Sequence, residues 1–361
     1  MHILIIPSSR YLTSDEPLAG IFQAAQAAAL HARGIQVGVI APSPRSLRSL
    51  FKKPRNGLTN TEPLFPIYSS NCWAWTLRRT PFIWYLWRRE GNRLLRAYLK
   101  QHGPPDLIHC HNSLYAGAFG NDAFKKTKLK YVLTEHSSVY LTNNLFRWQK
   151  GLAEQAFKNS LATAVVSPSL GIALNRFTNG KRVFPCIPNV IDSVFEDQTL
   201  PKQEPKTSFS ILSIGGLIPL KNHSMLLRAF AQKFKGITDV TLRIGGTGHF
   251  LTALQQLADR LNISEQVSFL GLLERDQVYR EMIHCDVFAL PSNFETFGVV
   301  LIEALACGKP VVATSCGGPD SIVTPSNGIL VPVGDCIAFA NALYSIYKLN
   351  RKYVASEIRK N

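Results

Sequence analysis

The chain has 361 residues, of which 46% are hydrophobic and 18% charged, which excludes a disordered protein and predicts two globular domains. A formal net charge of +16 favours an acidic partner, such as nucleotide phosphates, anionic lipid or nucleic acid. No apolar run reaches the roughly 18–20 residues of a membrane span, and the start MHILIIP predicts a strand, not a signal peptide. Seven cysteines without a CxxC pair indicate free thiols. We therefore expect a cytoplasmic protein.

Short apolar strands alternate with helical patterns in the first half, which is typical of βα units on a parallel sheet. Strands are predicted at His2–Pro7, Gln36–Ala41, Asp106–His111, Lys130–His136, Ala162–Ser167 and Val183–Ile187. Helices are predicted at Ile21–Ala32, Ile83–Lys100 and Phe146–Asn159. Residues 1–191 are therefore interpreted as one Rossmann-like domain.

A polar stretch with two prolines, residues 192–208, is predicted to be a linker. The alternation then starts again, with residues 209–345 as a second Rossmann-like domain and residues 346–361 as part of a C-terminal helix that begins near 337. Strands are predicted at Phe209–Ile214, Val240–Ile244, Gln266–Leu270, Cys285–Leu290 and Pro310–Ala313. The fold class is α/β, two doubly wound domains that face each other across a cleft, with ligands at the carboxyl ends of the strands.

Positive charge is concentrated in residues 41–100, which hold twelve Lys or Arg against two Glu, a net charge of +10. Within this region, residues 73–100 interleave aromatic side chains with arginine. That composition fits peripheral contact with an anionic membrane. It fits equally a helix with an aromatic core face and solvated arginines, whereas nucleic acid is the weaker alternative.

The stretch DVFALPSNFETFGVVLIEALACGKPVVAT, residues 286–314, carries two acids eight residues apart, Glu295 and Glu303. A buried strand, a polar turn and a helix over 297–307 are predicted here. On a continuous helix, eight residues would place the acids about 12 Å apart along the axis. Such a pair could hold a ligand rich in hydroxyls, or it could be two solvated acids on a capped surface helix.

Glycines cluster at predicted strand ends in the second half. Gly215 and Gly216 follow one strand, and Lys221 comes just before a helix. Glycine lets backbone N–H groups approach a phosphate, and a helix N-terminus favours the anion. The turn with Gly246 resembles a nucleotide-binding loop but lacks the third glycine of a nicotinamide fingerprint. A plain turn is the alternative in each case.

Histidines end two predicted strands of the first half, His109 and His111 on one and His136 on the next. Residues two apart on a strand share a face, yet no third ligand has metal-site spacing. We therefore predict no metal and no bound cofactor.

Taken together, these pieces resemble the family 4 retaining glycosyltransferases, which have the two-domain GT-B fold. The resemblance covers nearly the whole chain and is strongest over residues 209–334. It rests on PNVID (188–192), IGGLIPLKN (214–222), GTG (246–248), VSFLG (267–271), the Glu295-to-Glu303 EX7E spacing, GGPDSIV (317–323), AGIF (19–22), DLIHCH (106–111) and TEHSS (134–138).

The resemblance implies a role for each matching position. Lys221 would neutralise the leaving diphosphate, Glu295 would contact the donor sugar or its phosphates, and Glu303 would bind the ribose hydroxyls. His136 would reach the transferred sugar from the acceptor-side domain. The remaining donor-binding positions are Gly20, Gly215, Gly216, Gly246, Leu270, Leu272, Phe297, Gly298 and Val299. The implied partners are a nucleotide-sugar donor, a UDP-sugar by default, and a glycan or lipid-linked acceptor for cell-envelope polysaccharide or lipopolysaccharide.

Two departures from the family pattern are visible. Many members carry arginine where this chain has Gly216, so one phosphate cation is missing unless Arg243 or another residue replaces it. Members also usually continue beyond residue 361 with a helix that crosses to the N-terminal domain, which predicts weaker domain coupling here. The alternatives are a nucleotide-sugar epimerase of the same fold and a degenerate transferase that only binds a nucleotide sugar.

Overall fold

The computed structural model describes residues 1–8, 11, 20–46, 64–74, 80–180, 182–195, 208–349 and 353–360, with the backbone alone for 44–46 and 71–74. It divides into two compact units, Met1–Val190 and Ile191–Asn361. The described start of the predicted linker belongs to the second unit, because Phe195 is buried in that unit's core.

The first unit contains one six-stranded parallel sheet in the order β3-β2-β1-β4-β5-β6. Its strands are β1 (His2–Pro7), β2 (Gln36–Ser46), β3 (Ile67–Ala74), β4 (Leu107–His111), β5 (Tyr131–Glu135) and β6 (Thr163–Val165). Its helices are α1 (Ile21–Ala32), α2 (Pro81–His102), α3 (Ala118–Thr127), α4 (Arg147–Asn159) and α5 (Pro168–Phe177). All six residues of β1 are buried, as expected for a central strand covered on both faces.

The second unit has the same strand order, β9-β8-β7-β10-β11-β12, and its sheet is again entirely parallel. Its strands are β7 (Phe209–Ile214), β8 (Val240–Gly245), β9 (Val267–Gly271), β10 (Val287–Leu290), β11 (Val311–Thr314) and β12 (Gly328–Val331). Its helices are α6 (His223–Phe234), α7 (Leu251–Leu261), α8 (Arg275–His284), α9 (Val299–Ala306), α10 (Cys336–Lys348) and α11 (Ala355–Ile358).

The core of the second unit lies on both faces of its sheet because successive strand residues point to opposite sides. Ile211 packs with Phe230 and Phe339 on one face, whereas Leu212 packs with Leu301 on the other. The two doubly wound sheets confirm the predicted fold class of each unit.

Two predicted elements differ from the structure, and two observed strands were not predicted. Val183–Ile187 is not a strand, since only Cys186 bridges to Val165. The predicted C-terminal helix is interrupted: α10 ends at Lys348, and the separate α11 buries Ile358 in the second unit's core. Strands β3 and β12 were not predicted.

Candidate functional site

In both units the strand order reverses at one point, between β1 and β4 and between β7 and β10. The loops that leave such neighbouring strands in opposite directions open a crevice at their carboxyl ends, where doubly wound proteins bind ligands. The predicted residues Gly215, Gly216 and Lys221 follow β7, and Glu295 follows β10. The predicted site therefore falls on the switch point of the second unit.

Lys221 and Glu295 join the two loops at this switch point. The Lys221 Nζ donates to Glu295 Oε1 at 2.5 Å, and the Ser292 hydroxyl donates to the same oxygen at 2.7 Å. Glu295 is only 9% exposed. The pair thus places a cation and a buried carboxylate side by side, 74 residues apart in sequence.

Close backbone packing brings the glycine loops against Lys221. The methylene groups of Lys221 lie 3.6 to 3.8 Å from where a Cβ on Gly215 would be, so its stem lies over that glycine. Gly246 has φ +132°, and a Cβ there would come 1.9 Å from the Gly215 carbonyl oxygen. Only glycine fits at position 246, because this turn packs directly against the backbone of the turn at Gly215.

The helix that carries Glu303 is shorter than predicted. It begins at Val299, and Glu295 lies before it, in a bridge to Gly317. The 12 Å helical separation predicted for the two acids is therefore wrong, since only the last four of the eight steps are helical. Both acids are buried, so the alternative of two solvated surface acids is also wrong.

Glu303 is 1% exposed and is held by an arginine. Arg275 Nη2 donates to Glu303 Oε1 at 2.5 Å, and Arg275 Nε donates to Asp192 Oδ2 at 3.3 Å. The guanidinium also lies over the Phe195 ring, 4.8 Å from its centroid. Burial raises the pKa of the Glu303 carboxyl, and Arg275 opposes that rise. The other oxygen, Oε2, is buried with no hydrogen-bond partner among the described residues.

The other predicted donor-binding residues of this unit lie at or near the carboxyl ends of β9 and β10. Gly298 has φ +97° and precedes α9, a conformation that favours glycine, and Val299 begins that helix. Phe297 is buried, whereas Leu272 is half exposed and Leu270 is partly buried in β9. The start of α9 can therefore present backbone N–H groups to an anion.

Arg243 does not replace the missing cation at Gly216. It lies within β8, and its guanidinium makes two hydrogen bonds of 2.8 Å to the Glu281 carboxylate. Gly216 itself faces open space, because the nearest atom to an added Cβ is 4.0 Å away. An arginine side chain would have room to leave the backbone at that position.

In the first unit, three imidazoles stack at the ends of β4 and β5. The ring centroids of His109 and His111 are 4.5 Å apart, and those of His111 and His136 are 5.1 Å apart. His111 Nδ1 and His136 Nε2 share a hydrogen bond of 3.0 Å, and His109 Nε2 contacts the Thr134 hydroxyl at 2.8 Å. The arrangement orients His136 through a neighbouring ring.

Burial keeps these imidazoles uncharged. It lowers the pKa of His109 to about 4 and of His136 to about 3, and it lowers the pKa of His111 well below the usual value. Mutual repulsion of the charged forms adds to the effect. Within the described ranges, no three His, Cys, Asp or Glu side chains are arranged to hold a metal ion.

Two contacts bring the start of α1 and a buried acid to the same end of the sheet. The Phe22 ring lies 4.7 Å from the His136 ring, so Gly20, just before α1, is close to this site. Glu135 is fully buried and accepts from the Ser113 N–H, the Ser113 hydroxyl and the Ser137 N–H. Burial raises the pKa of this carboxyl.

The basic aromatic stretch divides between core and surface. Trp87 is 2% exposed and belongs to the interior, and the partly buried Trp84 stacks on it, whereas Phe82 and Tyr85 are 45% and 57% exposed. The exposed side chains follow one face of α2: Phe82, Tyr85, Arg89, Arg93, Arg96 and Lys100. Trp75, Arg78 and Arg79 lie outside the described residues, as does the Trp73 side chain. No described helix has the length and apolar content to cross a membrane.

Sequence reasoning missed Arg275 and Ser292 as residues of the site. Each contacts a predicted acid, but neither stands out in the sequence. An arginine in the first turn of a polar helix usually indicates a solvated side chain, and Ser292 is one of many serines near strand ends. The PNVID motif did include Asp192, without a role for its side chain.

The comparisons with known proteins agree with this arrangement. Residues 195–360 match the family model described as Glycosyl transferases group 1, and residues 22–194 match the model described as Glycosyltransferase Family 4. The two doubly wound units and the two family-model matches together identify a glycosyltransferase of the GT-B fold. More narrowly, the chain belongs to the family 4 glycosyltransferases, as the resemblance predicted.

Similar proteins include a GDP-mannose-dependent monoacylated alpha-(1-6)-phosphatidylinositol monomannoside mannosyltransferase of Corynebacterium glutamicum, 35% identical over 33% of this chain and 32% of its own length. A D-inositol 3-phosphate glycosyltransferase of Mycolicibacterium smegmatis is 36% identical over 50% of this chain and 39% of its own length. The matches thus span about a third of these relatives.

Solved structures share the fold over the whole chain. Sucrose-phosphate synthase from Thermosynechococcus elongatus has a TM-score of 0.79 at 20% identity, and Anabaena HepE in complex with UDP has a TM-score of 0.73 at 21% identity. Each comparison covers 100% of this chain and 94% of the other chain.

Proposed function

We propose that this chain is a retaining, metal-independent glycosyltransferase that moves a sugar from a nucleotide-diphosphate sugar to a glycan or lipid-linked acceptor. The product would belong to cell-envelope polysaccharide or lipopolysaccharide. The observation that carries the proposal is the Lys221–Glu295 pair at the switch point of the second unit. A UDP-sugar is the default donor. The GDP-mannose dependence in one relative's name makes a GDP-sugar the first alternative.

The proposed chemistry depends on stabilising the leaving group. As the nucleoside diphosphate departs, the anomeric carbon becomes oxocarbenium-like and negative charge develops on the phosphate. Lys221 and the N–H groups at the start of α9, near Gly298 and Val299, would stabilise that charge. The leaving phosphate oxygen would accept the proton of the acceptor hydroxyl as the new bond forms on the same face. Glu295 would hold Lys221 in position until the donor arrives.

The first unit would contribute an uncharged contact to the sugar. His136 is neutral near pH 7 because burial lowers its pKa to about 3. Its Nε2 is shared with His111, whereas its Nδ1 has no partner within hydrogen-bond geometry among the described residues. The Asn189 side chain lies near enough to the ring to oppose the fall in its pKa. A neutral imidazole fixed in this way can exchange one hydrogen bond with a sugar hydroxyl without attracting a competing anion.

A thermal-shift panel of nucleoside diphosphates and nucleotide sugars tests the donor half. A ligand that binds only the folded protein raises its melting temperature, so UDP, GDP and their sugars can be ranked directly. Transfer is then measured with the bound nucleotide sugar and a membrane-lipid extract. A chain that binds no nucleotide would contradict the proposal. Tight binding without transfer would indicate a degenerate transferase, and an altered nucleotide sugar formed without acceptor would indicate an epimerase.

Two variants separate the roles of the acids. Glu303→Ala should mainly weaken nucleotide binding, while Glu295→Ala should mainly slow transfer at saturating donor. Equal effects of both substitutions on binding and on turnover would contradict the assignment of separate roles.

We further propose that the exposed face of α2 contacts an anionic membrane, at the inner face in a cytoplasmic protein. Phe82 and Tyr85 stack at 5.9 Å between ring centroids at the start of the helix, and cationic side chains follow on the same face. Aromatic rings suit the headgroup region, and each cation near an anionic surface contributes about 1 kcal/mol. Arg89 and Arg93 also pair with Glu90, which reduces their net contribution.

Vesicle sedimentation tests this contact. Binding to phosphatidylglycerol vesicles should exceed binding to phosphatidylcholine vesicles and fall about 10-fold or more in Arg93→Glu/Arg96→Glu. The matched control is Lys125→Glu/Lys126→Glu, the same charge change at exposed lysines in the last turn of α3. Equal losses in both double variants would show that only net charge matters.

A further inference from the structure

The two carboxylate oxygens of Glu303 differ in their hydrogen bonding, and burial makes the missing hydrogen bond energetically unfavourable. Oε1 accepts from Arg275 at 2.5 Å, whereas Oε2 is buried with no hydrogen-bond partner among the described residues. A charged acceptor without a partner is unfavourable in a protein interior. Such an atom is best explained as a group whose partner comes from a ligand.

Arg275 is fixed by three contacts, which makes it a rigid anchor for Glu303. Its Nη2 holds Glu303, its Nε reaches Asp192, and its plane lies over Phe195. The Arg275 side chain is 23% exposed, so the pairing takes place largely away from water. A planar guanidinium with donors in fixed directions can set the rotation of a carboxylate, which a lysine ammonium cannot do as well.

We propose that Arg275 is a positioning residue that occupies Glu303 Oε1 and leaves Oε2 as the acceptor for a ribose hydroxyl of the donor nucleotide. The inference rests on the proposed function, because it takes Glu303 to be the ribose-binding acid. Asp192 and Phe195 complete the assembly by holding the guanidinium from its other edge and from its face. Since Oε2 is closed off from solvent in the free protein, ribose binding has to displace a neighbouring side chain.

Other origins of the arrangement would have different consequences. If Arg275 only stabilised the fold, its loss would lower the melting temperature without changing which ribose is bound. If both oxygens of Glu303 accepted hydrogen bonds from the ribose equally well, removing Arg275 from Oε1 would strengthen the binding of the ribose hydroxyls. The proposal instead requires that hydroxyl recognition falls when the carboxylate loses its anchor.

The experiment measures the affinity of UDP and GDP together with their 2′-deoxy and 3′-deoxy analogues by isothermal titration calorimetry. In the wild type, at least one deoxy analogue should bind about 10- to 100-fold more weakly, as expected for a lost hydrogen bond to a charged group. In Arg275→Met, this ratio should fall below about 3-fold, and the ribonucleotide itself should bind more weakly. Arg275→Lys should recover part of the ratio, and Asp192→Asn should lower it less than Arg275→Met.

Arg243→Met is the matched control, because it also removes an arginine that holds a glutamate of the same unit, Glu281, by two hydrogen bonds. Arg243→Met should lower the melting temperature yet leave the ribose-to-deoxyribose ratio unchanged. An Arg275→Met protein with the wild-type ratio would overturn the inference and leave the proposed function intact. If Arg275→Met does not fold, a wild-type ratio in both Arg275→Lys and Asp192→Asn overturns it. A wild type that binds none of the nucleotides contradicts the proposed function itself.

Discussion

In the first unit, the loops after β1 and β4 are joined by a hydroxyl: Ser8 Oγ contacts the carbonyl oxygens of His111 and Leu114 at 2.6 and 2.5 Å. In the second unit, the loops after β7 and β10 are joined by the ion pair of Lys221 and Glu295. The strand order around both switch points is the same. One fold therefore supports two kinds of candidate site, one built from neutral groups and one from charges that compensate each other.

This contrast predicts which perturbation each unit tolerates. Neutral buried imidazoles become unfavourable when protons are added, whereas compensated charges become unfavourable when one partner is removed.

Acid should destabilise the first unit more than the second. The three stacked imidazoles have pKa values in the folded state below the unfolded value near 6.5, so the unfolded chain binds more protons as the pH falls. The stabilisation is complete above pH 6.5 and is lost as the pH falls toward about 4 for His109 and about 3 for His136. At pH 5, His109 and His136 each lower the free energy of unfolding by about 2 kcal/mol. The second unit has one such group, His223, with a pKa of about 4.

Hydrogen exchange measured by mass spectrometry at pH 7 and pH 5 separates the units, when rates are corrected for intrinsic exchange. Peptides from residues 107–136 should lose protection on acidification, and peptides from 209–245 should lose less. Glu135 and Glu303 act in the opposite sense because their pKa values are raised, one in each unit, so they largely cancel. His111→Gln should reduce the difference, and earlier opening of the second unit would contradict the contrast.

Removing Lys221 should lower turnover by about 100- to 1,000-fold, as for other donors to a developing negative charge. Removing Glu295 should also slow transfer, because this carboxylate holds Lys221 in position. Stability should respond unequally. Lys221→Ala leaves a buried carboxylate unpaired and should cost about 1–3 kcal/mol, whereas Glu295→Ala leaves a lysine that is 23% exposed and can reach water.

A double-mutant cycle gives the sharper test. Lys221→Ala/Glu295→Ala should melt closer to the wild type than Lys221→Ala does but remain inactive, because it removes both charges together. Additive losses of stability in the double variant would show that the pair is not coupled. Full activity in either single variant would exclude these residues from the chemistry.

The strands at the centres of the sheets were predictable, whereas the strand at one edge of each sheet was missed. The bounds of β1 and β7, each a central strand, were predicted without error. Strands β3 and β12 were missed, and both are edge strands, whose residues need not form a continuous apolar run. The false strand Val183–Ile187 lies beside the edge strand β6, with Val183 91% exposed.

The site was predictable where a motif names its residues. Lys221, Glu295 and Glu303 follow from spacing and resemblance, and the structure places the first two in contact. Arg275 did not follow, because its partner Glu303 is 28 residues away and only the packing of α8 against α9 brings them together. The anchoring cations of buried acids depend on tertiary contacts, which a single sequence does not contain.

One added methyl group should lower the stability strongly at one glycine of the second unit and hardly at all at another. Gly246→Ala places a Cβ against the Gly215 carbonyl at φ +132°, which should cost about 2 kcal/mol or more and disturb the loop beside Lys221. Gly216→Ala meets no atom within 4.0 Å other than Ile218 and should change the melting temperature by less than about 2 °C. Equal melting temperatures for the two variants would contradict the packing described around Lys221.

Gly216→Arg should strengthen donor binding, because it adds a second cation to the charged site of the second unit. Position 216 has room for a side chain and follows the strand that leads to Lys221, so a second cation there can reach the same phosphates. The expected gain is about 0.5–1 kcal/mol, or 2- to 5-fold in the affinity for UDP or GDP, measured by calorimetry at two salt concentrations. Gly216→Gln is the uncharged control. Its affinity for UDP or GDP should not exceed that of the wild type at either salt concentration. An unchanged affinity in Gly216→Arg would mean that the diphosphate lies out of reach of residue 216.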